Sequence, residues 1–279
     1  TQVNVFVNTV LATGEGTGAV SWLDFAFRLM YLPIGLFGIS IATATLPAVS
    51  RHAALDEEHH VRRTVADGLS LMMMLNVPAT AGLLVLAVPI VRVIFERAAF
   101  TSADTAATAA ALQFYAIGLV GYSVVRIASP VFYALGANRT PVKVSIATVV
   151  VNAVLNVILV RLIGYRGLAL GTSIAALFNA TLLMVLLRRR LGGLEERRVA
   201  RSFTRITLAS TAMAIAVAAV DTATTTWLPG GSLIRQILRL AASIAVALGV
   251  LSAAAHYLRI PEFREGAAMV MRKLRRAGT

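Results

Sequence analysis

The sequence predicts an all-α protein, a polytopic bundle of transmembrane helices with about eight spans. Three observations support this fold class. The mean hydropathy is +0.78 and only 14% of the 279 residues are charged, a composition too apolar for an ordinary soluble domain. Apolar segments close to the length of a membrane span recur along the whole chain. Charged residues, Gly and Pro collect between these segments.

Eight apolar segments are the predicted spans. They run approximately over 1–14, 20–48, 64–95, 103–136, 141–162, 167–188, 203–226 and 233–258. A span needs about 20 apolar residues, and the first segment is shorter, so we expect the chain to begin inside a helix. After the eighth segment, residues 261–276 form a basic amphipathic stretch, which predicts a helix lying in the membrane interface.

Prolines interrupt several of the predicted spans. Pro33, Pro47, Pro78, Pro89 and Pro130 lie within or at the ends of apolar segments. A proline lacks the backbone N–H and its ring clashes with the preceding turn, so each should kink or stop its helix. Irregular backbone is tolerated in a membrane only beside protein or a water-filled cavity. The pattern therefore favours a transporter-like bundle over a set of straight anchors.

Positively charged residues predict the orientation. Loops and helix ends on one side carry 18 of the 26 Lys and Arg residues, and those on the other side carry 6. Because Lys and Arg accumulate on the cytoplasmic side, the richer side should be cytoplasmic, and an even number of spans places both ends of the chain there. The net charge of +13 reflects this excess, and without a continuous basic face it does not indicate nucleic-acid binding.

The remaining two basic residues, Arg28 and Arg126, fall inside predicted spans. An arginine near the bilayer centre costs at least about 2.5–3.5 kcal/mol, so it normally faces a cavity or a partner. The functional interpretation is a cationic lining for an anionic substrate, because guanidinium binds phosphate oxygens in pairs. The structural alternatives are an ion pair of Arg28 with Asp24 or snorkelling, and a helix–helix contact for Arg126.

Four sequence blocks carry a resemblance to a known family. They are S-W-L-D-F-A-F-R-L-M-Y-L-P-I-G-L-F-G-I-S-I-A-T-A-T-L-P-A-V-S-R (21–51), P-A-T-A-G-L-L-V-L-A-V-P-I-V-R-V-I-F-E-R-A-A-F-T (78–101), S-P-V-F-Y-A-L-G-A-N-R-T-P-V-K (129–143) and Y-R-G-L-A-L-G-T-S-I-A-A (165–176). These blocks resemble the MurJ/MviN lipid II flippases of the multidrug/oligosaccharidyl-lipid/polysaccharide exporter superfamily. They occur in order and at family-like spacing, and the resemblance covers residues 1 to about 190.

The resemblance implies a domain organisation. This chain would correspond to the seventh through fourteenth helices of a fourteen-helix protein, in which two six-helix lobes enclose a central cavity. Residues 1–192 would form the C-terminal lobe of the flippase core, with its first span truncated. Residues 193–279 would form two additional transmembrane helices that build a groove, followed by the basic interfacial helix. The N-terminal lobe, absent from this chain, and the membrane lipids would be its partners.

The resemblance implies transport and no enzyme activity. Family members move lipid II, the undecaprenyl-pyrophosphate-linked peptidoglycan precursor, from the inner to the outer leaflet of the bacterial cytoplasmic membrane by alternating access. Arg28 matches the cavity arginine of the family, although Phe25 replaces the usual Tyr. Phe27 and Tyr31 stand where some relatives carry polar or acidic residues. Arg126 matches a position that is basic in relatives, and the pyrophosphate of lipid II would be the anion that both arginines bind.

A candidate ion site follows from the same resemblance. Some relatives bind sodium between the helices that match the first, fifth and sixth predicted spans, and the matching residues here are Asn8, Asn152, Asn156 and Thr172. Asn8 and Asn156 stand where sodium-binding relatives carry Asp, and amides alone lack the compensating charge that a cation requires in low dielectric. The alternative is that these side chains hydrogen-bond the helices together, with the membrane potential driving transport.

Other chemistry is not indicated. No Ser/His/Asp or paired-carboxylate arrangement lies within the spans, and no cofactor is predicted. His52, His59 and His60 lie in a polar loop without an i, i+4 His pair, so no metal site is predicted. Two rival functions stay open: an exporter of another polyprenyl-linked glycan or of small cationic drugs, and a non-transporting membrane scaffold of cell-wall synthesis.

Overall fold

The computed structural model describes residues 2–35, 39–227 and 232–263. Within these residues all regular secondary structure is helical. The helices are α1 (Gln2–Thr13), α2 (Ala19–Pro33), α3 (Ile39–Ala54), α4 (Glu58–Phe95), α5 (Ser102–Ala134), α6 (Arg139–Ile163), α7 (Tyr165–Leu191), α8 (Glu196–Trp227) and α9 (Leu233–Tyr257). The predicted all-α class is confirmed. Most of the predicted interfacial helix, 261–276, lies outside the described residues.

Six of these helices, α4 to α9, are long and apolar enough to cross a membrane. They correspond one to one to the last six predicted spans. The predicted span 20–48 is instead two shorter helices, α2 and α3. α2 ends at Pro33, and Ile34 and Gly35 continue as a π-helical turn. Proline and glycine are the two residue types least favourable to an α-helix. Residues 36–38 lie outside the described residues.

The other prolines do not end their helices. α4 continues through Pro78 and Pro89, α5 continues through Pro130, and α3 contains Pro47. Of the five prolines that were expected to kink or stop a span, only Pro33 lies at the end of its helix. Long membrane helices tolerate proline where neighbouring groups satisfy the freed carbonyl oxygens.

A capping network positions α2 against α5. Thr101 Oγ1 accepts a hydrogen bond from the backbone N–H of Asp104 at 3.3 Å, and the Asp104 carboxylate accepts one from the backbone N–H of Thr101 at 2.8 Å. This capping box starts α5. The same carboxylate accepts a hydrogen bond from the Trp22 indole N–H at 2.8 Å. The N-terminal part of α2 is therefore tied to the N-terminus of α5, the helix that carries Arg126.

Small residues let α5 and α7 pack closely at the centre of the bundle. A Cβ atom at Gly121 would lie 2.7 Å from the carbonyl carbon of Ala176, and one at Gly118 would lie 2.7 Å from Ser173 Oγ. Ser173 Oγ donates a hydrogen bond to the Phe114 carbonyl oxygen at 2.7 Å. Small residues at such contacts are the usual means by which membrane helices associate. Glycine is required at both positions because a Cβ atom there would overlap the facing helix.

The last two helices pack on α4. Met74 of α4 lies in a buried apolar cluster with Ile206 of α8 and Ala255 of α9. Nearer the start of α8, Arg198 forms an ion pair of 2.6 Å with Asp67 of α4. Apolar packing and this ion pair together hold α8 and α9 beside α4.

Candidate functional site

Arg28 lies on an exposed face of α2. Its Nε forms an ion pair with Asp24 Oδ2 at 3.0 Å, and the two side chains are 72% and 51% exposed. This ion pair is the structural alternative that the i, i+4 spacing offered for Arg28. Among the described residues, Arg28 has no other ion pair or hydrogen bond. Both Nη groups of the guanidinium therefore remain available to a ligand.

An open depression of about 450 Å³ lies beside Arg28. It is lined by Phe27, Arg28, Tyr31, Leu32 and Gly35. Most of this wall is apolar, and Arg28 supplies its one formal charge. Ligand sites typically combine apolar walls with a small number of charged or polar groups that fix orientation.

Arg126 lies half-buried on α5. Its Nη2 donates a hydrogen bond to Tyr31 Oη at 3.2 Å, and its Cζ lies 5.8 Å from the centroid of the Tyr31 ring, within range of a cation–π contact. None of the described residues forms an ion pair with Arg126. Tyr31 therefore contacts Arg126 and also lines the depression beside Arg28, which places the two predicted arginines around one tyrosine.

Aromatic side chains fill the space between α2 and α5. The ring of Tyr31 lies 5.5 Å from that of Phe27 and 6.2 Å from that of Tyr122, the latter edge to face. Phe27 also meets the buried Tyr115 edge to face at 5.5 Å. Such arrangements are favourable because the positive edge of one ring meets the negative face of another.

The tyrosine at the centre of this site was not identified as functional from the sequence. In the sequence, Tyr31 is notable only as a departure from the family pattern. A usable signal was present, because Phe27 and Tyr31 are spaced i, i+4, as are Tyr122 and Arg126, and each pair shares one helix face. The spacing does not reveal that the two faces meet.

The four residues of the predicted ion site come together where α1, α6 and α7 meet. Asn156 Nδ2 donates to the side-chain oxygens of Asn152, at 3.1 Å, and of Asn8. Thr172 Oγ1 accepts from Asn8 Nδ2 at 3.2 Å and from Asn152 Nδ2 at 3.5 Å. The Thr172 hydroxyl in turn donates to the Leu168 carbonyl oxygen at 2.7 Å. We call Asn8, Asn152, Asn156 and Thr172 the amide cluster.

The geometry of the amide cluster fits a hydrogen-bonded contact better than a sodium ion. The side-chain oxygens of Asn8 and Asn152 both accept from Asn156, and Thr172 accepts from two amides. Asn156 Oδ1 is buried without a hydrogen-bond partner in the described structure, but it lies against Gly171, where a Cβ atom would overlap it. The cluster contains no carboxylate to balance a buried cation.

The histidines at the end of α3 and the start of α4 have a local role. His52 Nδ1 lies 2.6 Å from Glu57 Oε2, and the His52 and His60 rings stack at 5.1 Å. The hydrogen bond with His52 lowers the pKa of the Glu57 carboxyl below its usual range. These contacts order the polar loop that joins the two helices.

Several known proteins that resemble this chain are described as lipid II flippases. A family model described as "Lipid II flippase MurJ" matches residues 1–238. The "Probable lipid II flippase MurJ" of Vibrio cholerae is 37% identical over 182 residues, covering 65% of this chain and 35% of that protein. The protein of the same description from Rickettsia prowazekii is 28% identical over 262 residues, covering 94% of this chain and 52% of that protein.

A solved structure agrees with these relatives. The structure described as "Lipid II flippase MurJ, inward closed conformation" matches with a TM-score of 0.73 and 25% identity, covering 92% of this chain and 51% of that one. The chain thus spans about a third to a half of the length of the proteins it matches. Its membrane-length helices and these relatives indicate a multi-pass protein of the inner membrane. Because the family model matches most of the sequence, the chain belongs to the MurJ lipid II flippase family.

Proposed function

We propose that this chain is the C-terminal part of a flippase that moves lipid II from the inner to the outer leaflet of the bacterial cytoplasmic membrane by alternating access. The observation that carries the proposal is the arginine on α2, whose two Nη groups have no partner among the described residues and border an apolar depression. Family membership supplies the substrate class, a lipid carrying a diphosphate.

The two arginines bind the diphosphate of the lipid. Arg28 keeps its Nη groups for phosphate oxygens because the ion pair with Asp24 uses Nε. Arg126 donates one hydrogen bond to Tyr31 and has further N–H groups to offer, since a guanidinium carries five. A half-buried cation without a carboxylate partner is costly, and an anionic ligand removes that cost when it binds.

The proposed organisation follows the sequence expectation. Residues 1–192 form the C-terminal lobe, the additional helix pair follows within residues 193–279, and an N-terminal lobe closes the other side of the cavity. The distribution of Lys and Arg supports a cytoplasmic location for both ends of the chain. The exposed apolar side chains along α6 and α9, such as Ile146, Val150, Ile234 and Leu248, suit contact with membrane lipids.

The amide cluster has a structural role in this proposal. It joins one side chain of α1, two of α6 and one of α7 through hydrogen bonds, and interhelical hydrogen bonds of this kind stabilise membrane bundles. No step of transport is assigned to a bound sodium ion. Energy for transport comes from the membrane potential acting on charged groups that move.

Replacement of Arg28 tests the function. In the complete protein, Arg28→Ala should abolish complementation of a bacterial strain depleted of its lipid II flippase, while the variant inserts in the membrane at the normal level. The matched control is Arg161→Ala, which removes an exposed arginine near the end of α6 and should leave growth normal. Normal growth with Arg28→Ala would overturn the proposal.

A further inference from the structure

We propose that Tyr31 is the residue that positions Arg126 for the diphosphate. The inference rests on the proposed function and extends it, because it assigns a role to a side chain that does not itself carry charge. It predicts that the affinity for an anionic lipid depends on the Tyr31 hydroxyl, and that this dependence exists only while Arg126 is present.

Two contacts connect the side chains of Tyr31 and Arg126. The Tyr31 hydroxyl oxygen accepts a hydrogen bond from Arg126 Nη2 at 3.2 Å, and the ring lies 5.8 Å from Arg126 Cζ. Among the described residues these are the only side-chain partners of the guanidinium. An arginine has a long flexible side chain, so these two contacts select the position in which its charge is held.

Tyr31 is itself held on two sides. Phe27, one turn earlier on α2, packs against one side of the ring at 5.5 Å, and Tyr122 of α5 meets it edge to face at 6.2 Å. Tyr122 is also one turn before Arg126 on the same face of α5. The tyrosine therefore lies in an aromatic cleft, which restricts its ring and fixes the direction of its hydroxyl.

The position of Arg126 matters for ligand binding because the side chain carries a positive charge. A guanidinium is protonated at every physiological pH, and no described carboxylate neutralises this one. A neutral hydroxyl orients the cation without cancelling its charge, whereas an acidic side chain at residue 31 would form an ion pair with it. The arrangement holds a positive charge ready for an anion beside the depression that Arg28 lines.

A simpler interpretation is that Tyr31 only packs α2 against α5. Tyr31→Phe separates the two interpretations because it keeps the ring and its aromatic contacts and removes only the hydroxyl. Tyr133→Phe is the matched control, since it makes the same chemical change on the same helix as Arg126, at an exposed tyrosine whose hydroxyl forms no hydrogen bond among the described residues.

The experiment measures binding of undecaprenyl diphosphate to the complete protein purified in nanodiscs. Compared with the parent, Tyr31→Phe should weaken binding roughly 5- to 10-fold, the size expected for loss of one ordinary hydrogen bond, and Tyr133→Phe should leave it unchanged. Arg126→Ala should weaken binding further, and the double variant Tyr31→Phe/Arg126→Ala should bind no more weakly than Arg126→Ala. Thermal melting of each variant checks that it is folded.

Two outcomes overturn the inference and leave the proposed function standing: Tyr31→Phe binds like the parent, or it weakens binding equally whether or not Arg126 is present. A parent protein that does not bind undecaprenyl diphosphate overturns the proposed function, and this inference with it.

Discussion

The amide cluster and the two arginines beside the depression differ in how completely their hydrogen-bonding groups are satisfied. In the amide cluster, Asn8, Asn152 and Thr172 have their side-chain groups paired within the cluster, and Asn156 donates two hydrogen bonds there. Asn156 Oδ1, which lies against Gly171, is the one oxygen of the cluster without a partner in the described structure. Beside the depression, Arg28 and Arg126 keep several N–H groups without partners among the described residues. Polar groups that satisfy one another's hydrogen bonds indicate a structural contact. Charged groups whose N–H donors lack partners indicate a ligand site.

The chemistry of the side chains explains the difference. An amide carries both donors and acceptors, so a few asparagines satisfy one another at short range. A guanidinium has donors only and always carries a charge, so two arginines cannot satisfy each other and need an anion. The amide cluster and the two arginines both lie in apolar helices. Their side-chain hydrogen bonds and ion pairs distinguish them.

The largest expected effect on folding comes from breaking the amide cluster. Asn156→Leu removes two donated hydrogen bonds and leaves the oxygens of Asn8 and Asn152 without that donor, so it should lower the free energy of unfolding by roughly 2 kcal/mol. Denaturant unfolding of the purified protein measures this. Asn138→Ala is the control, because Asn138 is exposed at the start of α6 and its side chain makes no capping hydrogen bond.

The same variant tests whether the amide cluster is independent of the ligand site formed by the two arginines. Below its unfolding temperature, Asn156→Leu should bind undecaprenyl diphosphate with the affinity of the parent, and the parent should melt at the same temperature in sodium and potassium salts. A parent that melts several degrees higher in sodium would show that the amide cluster holds a cation.

A smaller effect is expected from a methyl group at the edge of the amide cluster. Gly171→Ala would place its Cβ atom against Asn156 Oδ1, so it should destabilise the fold by roughly 1–2 kcal/mol through overpacking. Gly249→Ala makes the same change on α9, where a Cβ atom would meet nothing within 4 Å, and should be neutral or slightly stabilising. Equal unfolding curves for the two variants would contradict the close packing of α6 and α7.

Hydropathy predicted most of the fold but not the division of segment 20–48 into two helices. The last six apolar segments each became one long helix, because a membrane span has a characteristic length and composition. The segment 20–48 became two helices, since hydropathy is insensitive to the proline at residue 33 that ends α2. Proline content alone was also insufficient, because α4 and α5 continue through theirs.

The site was predictable in part. The resemblance named the members of the amide cluster, which meet in the structure. The contact of Tyr31 with Arg126 joins residues 95 positions apart and depends on how α2 lies against α5. That packing is fixed in turn by the bond from Trp22 to Asp104, another long-range contact that no local pattern encodes.

The smallest expected effect concerns the ion pair beside the depression. Asp24→Asn releases Arg28 from its one carboxylate partner, so affinity for undecaprenyl diphosphate should rise about 2- to 5-fold, while the melting temperature stays within about 2 °C because exposed ion pairs contribute little to stability. Glu15→Gln, a similar change outside the site, should alter neither quantity. Weaker binding by Asp24→Asn would mean that the carboxylate orients Arg28 for the ligand.

Whether Arg28 contacts the diphosphate of the lipid can be measured by comparing the binding of two lipids. Undecaprenyl diphosphate and undecaprenol share the same chain and differ in the charged group. The complete protein should bind the diphosphate much more tightly, and Arg28→Ala should remove at least about 10-fold of that preference while leaving the affinity for undecaprenol unchanged. An Arg28→Ala variant that retains the full preference for the diphosphate would contradict the account.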